Sequence, residues 1–269
     1  IAFVIWGVIA EQSISKLFLS GVLPGLLMAF GITLIVIFKD IQDKRPRQPR
    51  ASLAEIMSVL KEGIWALMAP IVVLGGIYGG AFTPTEAAVV ACLYALLVGF
   101  VIERRLRWKD LPKIMMSGMT VSAIVMAIVA VSQGFGFLVA QEQLATRLAT
   151  WLGENIHDRW MMLLALNLGF FLLAAVMDEI AIMVILGPML ISIAKQFGVD
   201  PIHFGAMIVT NVAIGMAAPP IGYCLFVGMA IGGTKLWPLS RAILPFVFVM
   251  LLVLIAVTYV PTFALALVP

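Results

Sequence analysis

Apolar runs of membrane-spanning length, separated by short polar segments, dominate the hydrophobicity pattern of this chain. Leu19–Phe38 contains 20 residues, and a helix of that length rises about 30 Å, which is enough to cross a bilayer. The pattern predicts membrane helices in four further runs, Gly63–Gly80, Ala87–Ile102, Ile114–Val131 and Ala242–Tyr259. The chain is therefore predicted to be an all-α integral membrane protein.

Two polar segments between these runs carry apolar residues at helical spacing. Residues 52–64 and 141–151 are too polar to cross a membrane, and their spacing predicts helices that lie in the membrane surface. Ser52 and Glu55 have the spacing of a capping box, which starts a helix by reciprocal hydrogen bonds. Thr83 and Glu86 have the same spacing before the third run, so we expect both pairs to cap helices.

Composition and charge support the membrane assignment and set its orientation. The chain is 63% hydrophobic and 12% charged with a mean hydropathy of +1.13, far more apolar than soluble domains. Ten of its 17 Lys and Arg residues lie in segments 39–50 and 103–113. The positive-inside rule places both segments in the cytoplasm. The two predicted spans between them return the chain to the same side, and a net charge of +3 implies no nucleic-acid partner.

A hairpin is predicted over residues 160–194. The apolar run Trp160–Met177 ends at an acidic pair, Asp178 and Glu179, and the next run, Ile180–Ala194, has only 15 residues and is interrupted by Gly187-Pro188. We favour a re-entrant hairpin that turns near Asp178 and leaves by the face it entered. The alternative is two ordinary spans with a cytoplasmic turn, which would be acidic without a basic residue, against the orientation rule.

A discontinuous helix is predicted over residues 206–232. Ala206–Ala217 and Ile221–Gly232 are half-length apolar segments of 12 residues each, joined by Ala218, Pro219 and Pro220. A proline in a helix interior costs about 3 kcal/mol, and hydrocarbon offers no water to satisfy the freed carbonyls. Broken helices of transporters bind cations and anionic substrates through such carbonyls and helix ends. The break is therefore predicted to form a binding site.

The start of the chain resembles its end, which suggests an inverted repeat. Ile1–Trp6 is similar to Ile221–Phe226, and Pro24 matches Pro245 in the span that follows. The two following spans are predicted to run in opposite directions, as in many secondary transporters. The predicted domains are residues 1–38, the end of the first repeat; 39–62, a cytoplasmic basic loop with an interfacial helix; and 63–269, the second repeat. Because Ile1 matches a position just after a break, we expect the chain to be the latter part of a longer protein.

Three motifs, at residues 75–96, 177–190 and 198–222, resemble the large membrane subunit (M, DctM-like) of the tripartite ATP-independent periplasmic (TRAP) transporters, and the resemblance covers essentially all 269 residues. It implies a sodium-coupled, elevator-type transporter of the bacterial inner membrane with no cofactor besides the coupling ion. Such a transporter takes a small carboxylate, such as a dicarboxylate or sugar acid, from a periplasmic binding protein. Its other partners are membrane lipid and a small membrane subunit of the Q type.

The alternative function is an ion-coupled carboxylate transporter of related inverted-repeat fold that needs no binding protein. An intramembrane enzyme is not expected. Catalysis in the bilayer would need paired carboxylates, a Ser/His pair or a metal cluster. The chain has one acidic pair and no histidine within a predicted span.

Residue by residue, the resemblance carries the hairpin aspartate of the family onto Asp178 and its broken helix onto Gly215, Pro219, Pro220 and Gly222. The family usually has Thr before the two prolines, where this chain has Ala218. A sodium site would then rely on carbonyls, or on Thr210 or Asn211. We therefore expect ion or substrate binding at Asp178, Thr210, Asn211, Gly215, Ala218, Pro219, Pro220 and Gly222, with sodium at Asn211, Gly215 and Ala218.

Overall fold

The computed structural model describes residues 1–43, 52–143, 147, 150–151, 156, 158–175, 179–219 and 222–269. All regular secondary structure in this part of the chain is helical. The chain divides into two compact units, one formed by residues 1–43 with 125–269 and the other by residues 44–124. This division follows spatial contacts, and the boundaries of the repeats stay a prediction.

The smaller unit contains α3 (Leu53–Tyr78), α4 (Pro84–Leu97) with a π-helical end (Val98–Ile102), and the start of α5 (Leu111–Gln141). Both predicted capping boxes are confirmed. The Ser52 hydroxyl accepts from the Glu55 amide at 3.2 Å, and the Ser52 amide donates to Glu55 Oε2 at 2.7 Å.

The predicted end of the interfacial helix at residue 64 is wrong, and its position in the membrane surface stays a prediction. Its residues form the first half of α3, which continues to Tyr78 without interruption. No stop signal follows Ile64, and one helical glycine, Gly63, costs only about 1 kcal/mol. The second predicted interfacial helix, over residues 141–151, lies largely outside the described residues.

The larger unit contains the remaining helices and the end of α5. They are α1 (Ala2–Ile9), α2 (Ile14–Asp43), α6 (Arg159–Ala174), α7 (Glu179–Gln196), α8 (Pro201–Gly215), α9 (Tyr223–Gly232), α10 (Leu236–Tyr259) and α11 (Thr262–Leu265). The two segments that are matched in the predicted repeat have the same order of elements. A short helix precedes a long helix with an internal proline, Pro24 in α2 and Pro245 in α10. The inverted orientation of the two copies stays a prediction.

Helix α8 forms the centre of the larger unit, since 12 of its 15 residues are buried. Helix α1 packs against it through Trp6, which is fully buried. The ring centroids of Trp6 and Phe204 are 5.7 Å apart. A methyl group added to Gly205 would lie 2.6 Å from Trp6 Nε1. The absence of a side chain at Gly205 therefore permits this close contact between α1 and α8.

Two predictions for α7 and α8 are wrong, an interruption of α7 and the residue at which α8 begins. Helix α7 is a continuous 18-residue helix through Gly187 and Pro188, where an interruption was predicted. Helix α8 starts at Pro201 rather than Ala206, because the Asp200 carboxylate caps it by accepting from the Ile202 and His203 amides, each at 2.9 Å. The residues before Ala206, predicted to be a polar connection, are thus the first helical turn.

Within the described residues, five helical segments are long and apolar enough to cross a membrane. They are Ile14–Gln42, Leu53–Tyr78, Pro84–Ile102, Glu179–Gln196 and Leu236–Tyr259. Helices α6 and α8 are shorter apolar helices. The all-α membrane fold is therefore confirmed, and the re-entrant path of α6 and α7 stays a prediction.

Candidate ion and substrate site

The predicted helix break is present between α8, which ends at Gly215, and α9, which begins at Tyr223. The chain leaves α8 through tightened turns in which the Ala217 amide donates to the Ile214 carbonyl and the Ala218 amide to the Gly215 carbonyl, each at 3.0 Å. The carbonyl oxygens of Ala217 and Ala218 accept no hydrogen bond from any described residue. These oxygens lie at the negative end of the α8 dipole, where a cation is stabilised.

Glycines at both edges of the break allow close backbone contacts. A side chain on Gly215 would meet the backbone of Ala174 in α6, whose carbonyl carbon lies 2.9 Å from the position of an added Cβ. A side chain on Gly222 would overlap the carbonyl oxygen of Ala218. The two glycines therefore let α6 and one of the unbonded carbonyls lie directly beside the break.

The amino end of α9 faces the same break and has no side-chain cap. Gly222 is its N-cap residue, and the Cys224 amide donates back across the break to the Met216 carbonyl at 3.0 Å. The Leu225 amide donates to the Gly222 carbonyl at 2.7 Å, so the attraction of this helix end for anions rests on its positive dipole. The break thus has carbonyl oxygens on its α8 side and the positive end of the α9 dipole on the other.

A buried polar chain lies one turn before the break. Asn211 of α8 is fully buried, and its amide nitrogen donates to the backbone oxygen of Asn167 at 2.9 Å and to Asn167 Oδ1 at 3.0 Å. The amide of Asn167, in α6, donates to the Thr258 hydroxyl in α10 at 2.8 Å, and that hydroxyl donates to the Leu254 carbonyl at 2.7 Å. The chain therefore connects α8, α6 and α10.

The direction of each hydrogen bond among these polar residues is fixed by the bond between Thr258 and Leu254. Since the Thr258 hydroxyl proton goes to the Leu254 carbonyl, Thr258 accepts from the amide of Asn167. Asn167 Oδ1 then faces Asn211, which must use its amide nitrogen there. Asn211 Oδ1 is left buried, with no hydrogen-bond donor among the described residues. A buried unsatisfied oxygen costs about 1–3 kcal/mol, and a bound cation or water would remove that cost.

A cavity of about 210 Å³ lies beside this polar chain, between α6 and α10. Asn167 and Thr258 form the polar part of its wall, and the other lining residues are Leu164, Leu168, Phe171, Leu251, Leu254, Ile255 and Tyr259. The cavity is therefore mainly apolar, with polar groups only where it meets the hydrogen-bonded chain.

The structure brings together most of the predicted site residues. Thr210 and Asn211 are buried in α8, Gly215 ends that helix, and Ala218 and Pro219 lie in the break before Gly222. Ala218 is buried and Pro219 half-buried. Two predicted site residues, Asp178 and Pro220, lie outside the described residues.

Two residues of this buried hydrogen-bonded network, Asn167 and Thr258, were not predicted as site residues. Each is a polar residue within or at the end of a long apolar run, which is a signal of interhelical hydrogen bonding in membranes. Their partners are 44 and 91 residues away in sequence. The sequence therefore marks them as unusual but does not say what they bind.

Comparison with known proteins places the whole chain in one family. A sequence model of the family described as "Tripartite ATP-independent periplasmic transporter, DctM component" matches residues 1–263. The C4-dicarboxylate TRAP transporter large permease protein DctM of Pseudomonas aeruginosa is 37% identical over 267 residues, which is 99% of this chain and 62% of the relative.

Two further relatives have names with other substrates. The sialic acid TRAP transporter large permease protein SiaM of Vibrio cholerae is 36% identical over 99% of this chain and 62% of its own length. The 2,3-diketo-L-gulonate TRAP transporter large permease protein YiaN of Escherichia coli is 33% identical over 97% of this chain and 61% of its own length. The chain thus spans about three-fifths of these relatives. With its membrane-spanning helices, the family match shows that this chain is a multi-pass inner-membrane protein that belongs to the DctM component family of the tripartite ATP-independent periplasmic transporters.

Proposed function

We propose that this chain is part of a permease for sodium-coupled uptake of a small carboxylate delivered by a periplasmic binding protein. The family is one of transporter permeases, not of enzymes. The names of three relatives specify C4-dicarboxylates, sialic acid and 2,3-diketo-L-gulonate, all of which are carboxylates. The word tripartite in the family description supports two partners, a small membrane subunit of the Q type and the binding protein.

The observation that carries the sodium proposal is a set of neutral oxygens, at and before the break, that accept no hydrogen bond from any residue the structure describes. They are the carbonyls of Ala217 and Ala218 and Oδ1 of Asn211. Unwound carbonyls and half-helix carboxyl ends coordinate sodium in secondary transporters. Ala218 supplies no hydroxyl, so its backbone oxygen replaces the usual Thr side chain as the ligand at this position.

The carboxylate is proposed to bind at the amino end of α9, across the break from the cation. Its negative charge is stabilised by the positive dipole end of α9 and by the sodium ion itself. Bound sodium then strengthens the binding of the carboxylate, and the bound carboxylate strengthens the binding of sodium. This mutual effect couples the flux of sodium to the flux of the carboxylate. The elevator-type movement is part of this proposal and is supported by the family resemblance.

Uptake assays in liposomes test this proposal. The full-length permease is reconstituted with its small subunit, and binding protein loaded with labelled succinate is added outside. Uptake is measured under an inward sodium gradient and, separately, under an inward potassium gradient. We expect accumulation only with sodium and only with the binding protein. Sodium-driven uptake of free succinate without the binding protein would favour the alternative function, and equal uptake in potassium would refute sodium coupling.

A pair of variants separates ion binding from structure. Asn211→Ala removes Asn211 Oδ1 together with both hydrogen bonds to Asn167. Asn167→Ala breaks only the side-chain bond between the two residues and the bond to Thr258, and it leaves Asn211 Oδ1 in place. We expect Asn211→Ala to raise the sodium concentration for half-maximal uptake about tenfold and Asn167→Ala to raise it less than twofold. Equal shifts in the two variants would show that Asn211 only supports the fold.

A further inference from the structure

A second cavity, of about 600 Å³, lies between α2 and α10. The two helices are in close contact at its edge, because a methyl group on Gly31 would lie 2.5 Å from Val249 Cγ1. The cavity extends from this contact toward Lys39 and Gln42, at the end of α2 that the positive-inside rule places in the cytoplasm. Its other lining residues are Leu34, Ile35, Phe38 and Pro245.

The cavity is a groove with apolar walls and a cation at one end. The ammonium group of Lys39 lies 3.4 Å from the Ala242 carbonyl and 5.2 Å from the centre of the Phe246 ring. These two contacts hold the charge beside the groove without neutralising it. In the part of the chain that the structure describes, Lys39 forms no ion pair.

We propose that this groove binds an anionic phospholipid of the cytoplasmic leaflet, with one acyl chain against the apolar wall and the phosphate on Lys39. Basic pockets between membrane helices on the cytoplasmic side select anionic headgroups in this way. Among the described residues no carboxylate pairs with Lys39, and the phosphate supplies the negative charge. Gln42, one turn further along α2, donates a hydrogen bond to the headgroup oxygens.

The charge and shape of the groove favour a lipid over a helix of a protein partner. Its wall is apolar from Gly31 to Phe38, and the Lys39 cation lies at one end, which matches one acyl chain with a phosphate at its end. An acyl chain is thinner than a helix, which is about 10 Å in diameter, and follows the groove along its length.

Native mass spectrometry of the full-length protein, released from mixed phosphatidylglycerol and phosphatidylcholine, tests the headgroup selection. We expect the protein to retain about five times as much phosphatidylglycerol as phosphatidylcholine, because one cation near the membrane surface contributes about 1 kcal/mol to binding an anionic lipid. Lys39→Gln should remove the preference and Lys39→Arg should keep it. The matched control is Lys235→Gln, which removes an exposed lysine that lies before α10 and outside the groove. Equal loss in Lys39→Gln and Lys235→Gln would overturn the site.

A photo-crosslinking side chain at Leu34 identifies the occupant directly. Leu34 lines the groove and is half exposed, so the probe should react with whatever occupies it in the assembled transporter. We expect an adduct with the mass of a phospholipid that is reduced by Lys39→Gln. An adduct with the small membrane subunit would overturn the proposal and assign the groove to a protein contact.

Discussion

Two proline-containing stretches of the larger unit have opposite structures. Gly187 and Pro188 lie inside α7, which is continuous from Glu179 to Gln196, while Pro219 lies in the break that separates α8 from α9. The sequence predicts an interruption at both places, and only the second prediction is correct. A proline in a membrane helix is therefore not by itself evidence for a break.

The difference is explained by what packs against each stretch. Helix α1 lies on α7 at the Gly187 position, where Ile9 Cγ2 would be 2.9 Å and Trp6 Cζ3 3.7 Å from an added methyl group. Such packing holds a helix straight through one missing hydrogen bond, as neighbouring helices do in membranes. At the break, two consecutive prolines remove two amide donors, and glycines flank them at positions 215 and 222. The break therefore depends on two prolines and two glycines together.

Removing both prolines at the break should have the largest effect. Pro219→Ala with Pro220→Ala restores amide donors for the Gly215 and Met216 carbonyls, so α8 can continue through the break. A continuous helix would bring the Ile221 and Gly222 amides to the carbonyls of Ala217 and Ala218. We expect sodium-dependent uptake by the full-length protein with its partners to fall to the level measured without sodium, while the purified protein stays folded. Unchanged sodium dependence would leave the prolines as a hinge and contradict the ion site.

The matched control for that variant is Pro188→Ala. Helix α7 is already continuous there, and the substitution only restores one amide donor. We expect uptake within twofold of the unmodified protein. A loss of uptake as large as that of the double variant would mean that the proline in α7 is also functional, and the comparison between the two stretches would fail.

Gly222→Ala should have the next largest effect. Its new methyl group would overlap the Ala218 carbonyl oxygen and displace a proposed sodium ligand. If that contact contributes about 1–2 kcal/mol, the sodium concentration for half-maximal uptake rises about 5- to 30-fold. Gly169→Ala is the control, because the added methyl group meets no atom within 4 Å there. The same shift in both variants would argue against a local role of the Ala218 carbonyl.

Gly187→Ala tests the packing that keeps α7 continuous. The methyl group would lie too close to Ile9, whose branched side chain has few rotamers to escape it. Overpacking costs about 1–3 kcal/mol, and the better helix propensity of alanine returns up to about 1 kcal/mol. We expect a midpoint of thermal unfolding about 2–4 °C lower and little change in sodium dependence. A higher midpoint would show that α1 does not restrain α7 at this position.

The features that the sequence predicts correctly are those set by neighbouring residues. The two capping boxes, at Ser52 and Thr83, need only residues three positions apart, and the prolines and glycines of the break all lie between Gly215 and Gly222. Features that depend on distant residues were missed. The continuity of α7 depends on α1, and the partners of Asn167 are Asn211 and Thr258, which are brought to it by the fold.

The smallest expected effect concerns the missing hydroxyl at position 218. Ala218→Thr adds the side-chain oxygen that the family usually has before the two prolines. Ala218→Val is the matched control, because valine has nearly the shape of threonine without its hydroxyl. Since Ala218 is buried, both variants pay the same packing cost, and their difference reports the oxygen alone. We expect threonine to need about fivefold less sodium for half-maximal uptake than valine, which corresponds to about 1 kcal/mol. Equal sodium requirements would show that position 218 contributes to ion binding only through its backbone, if at all.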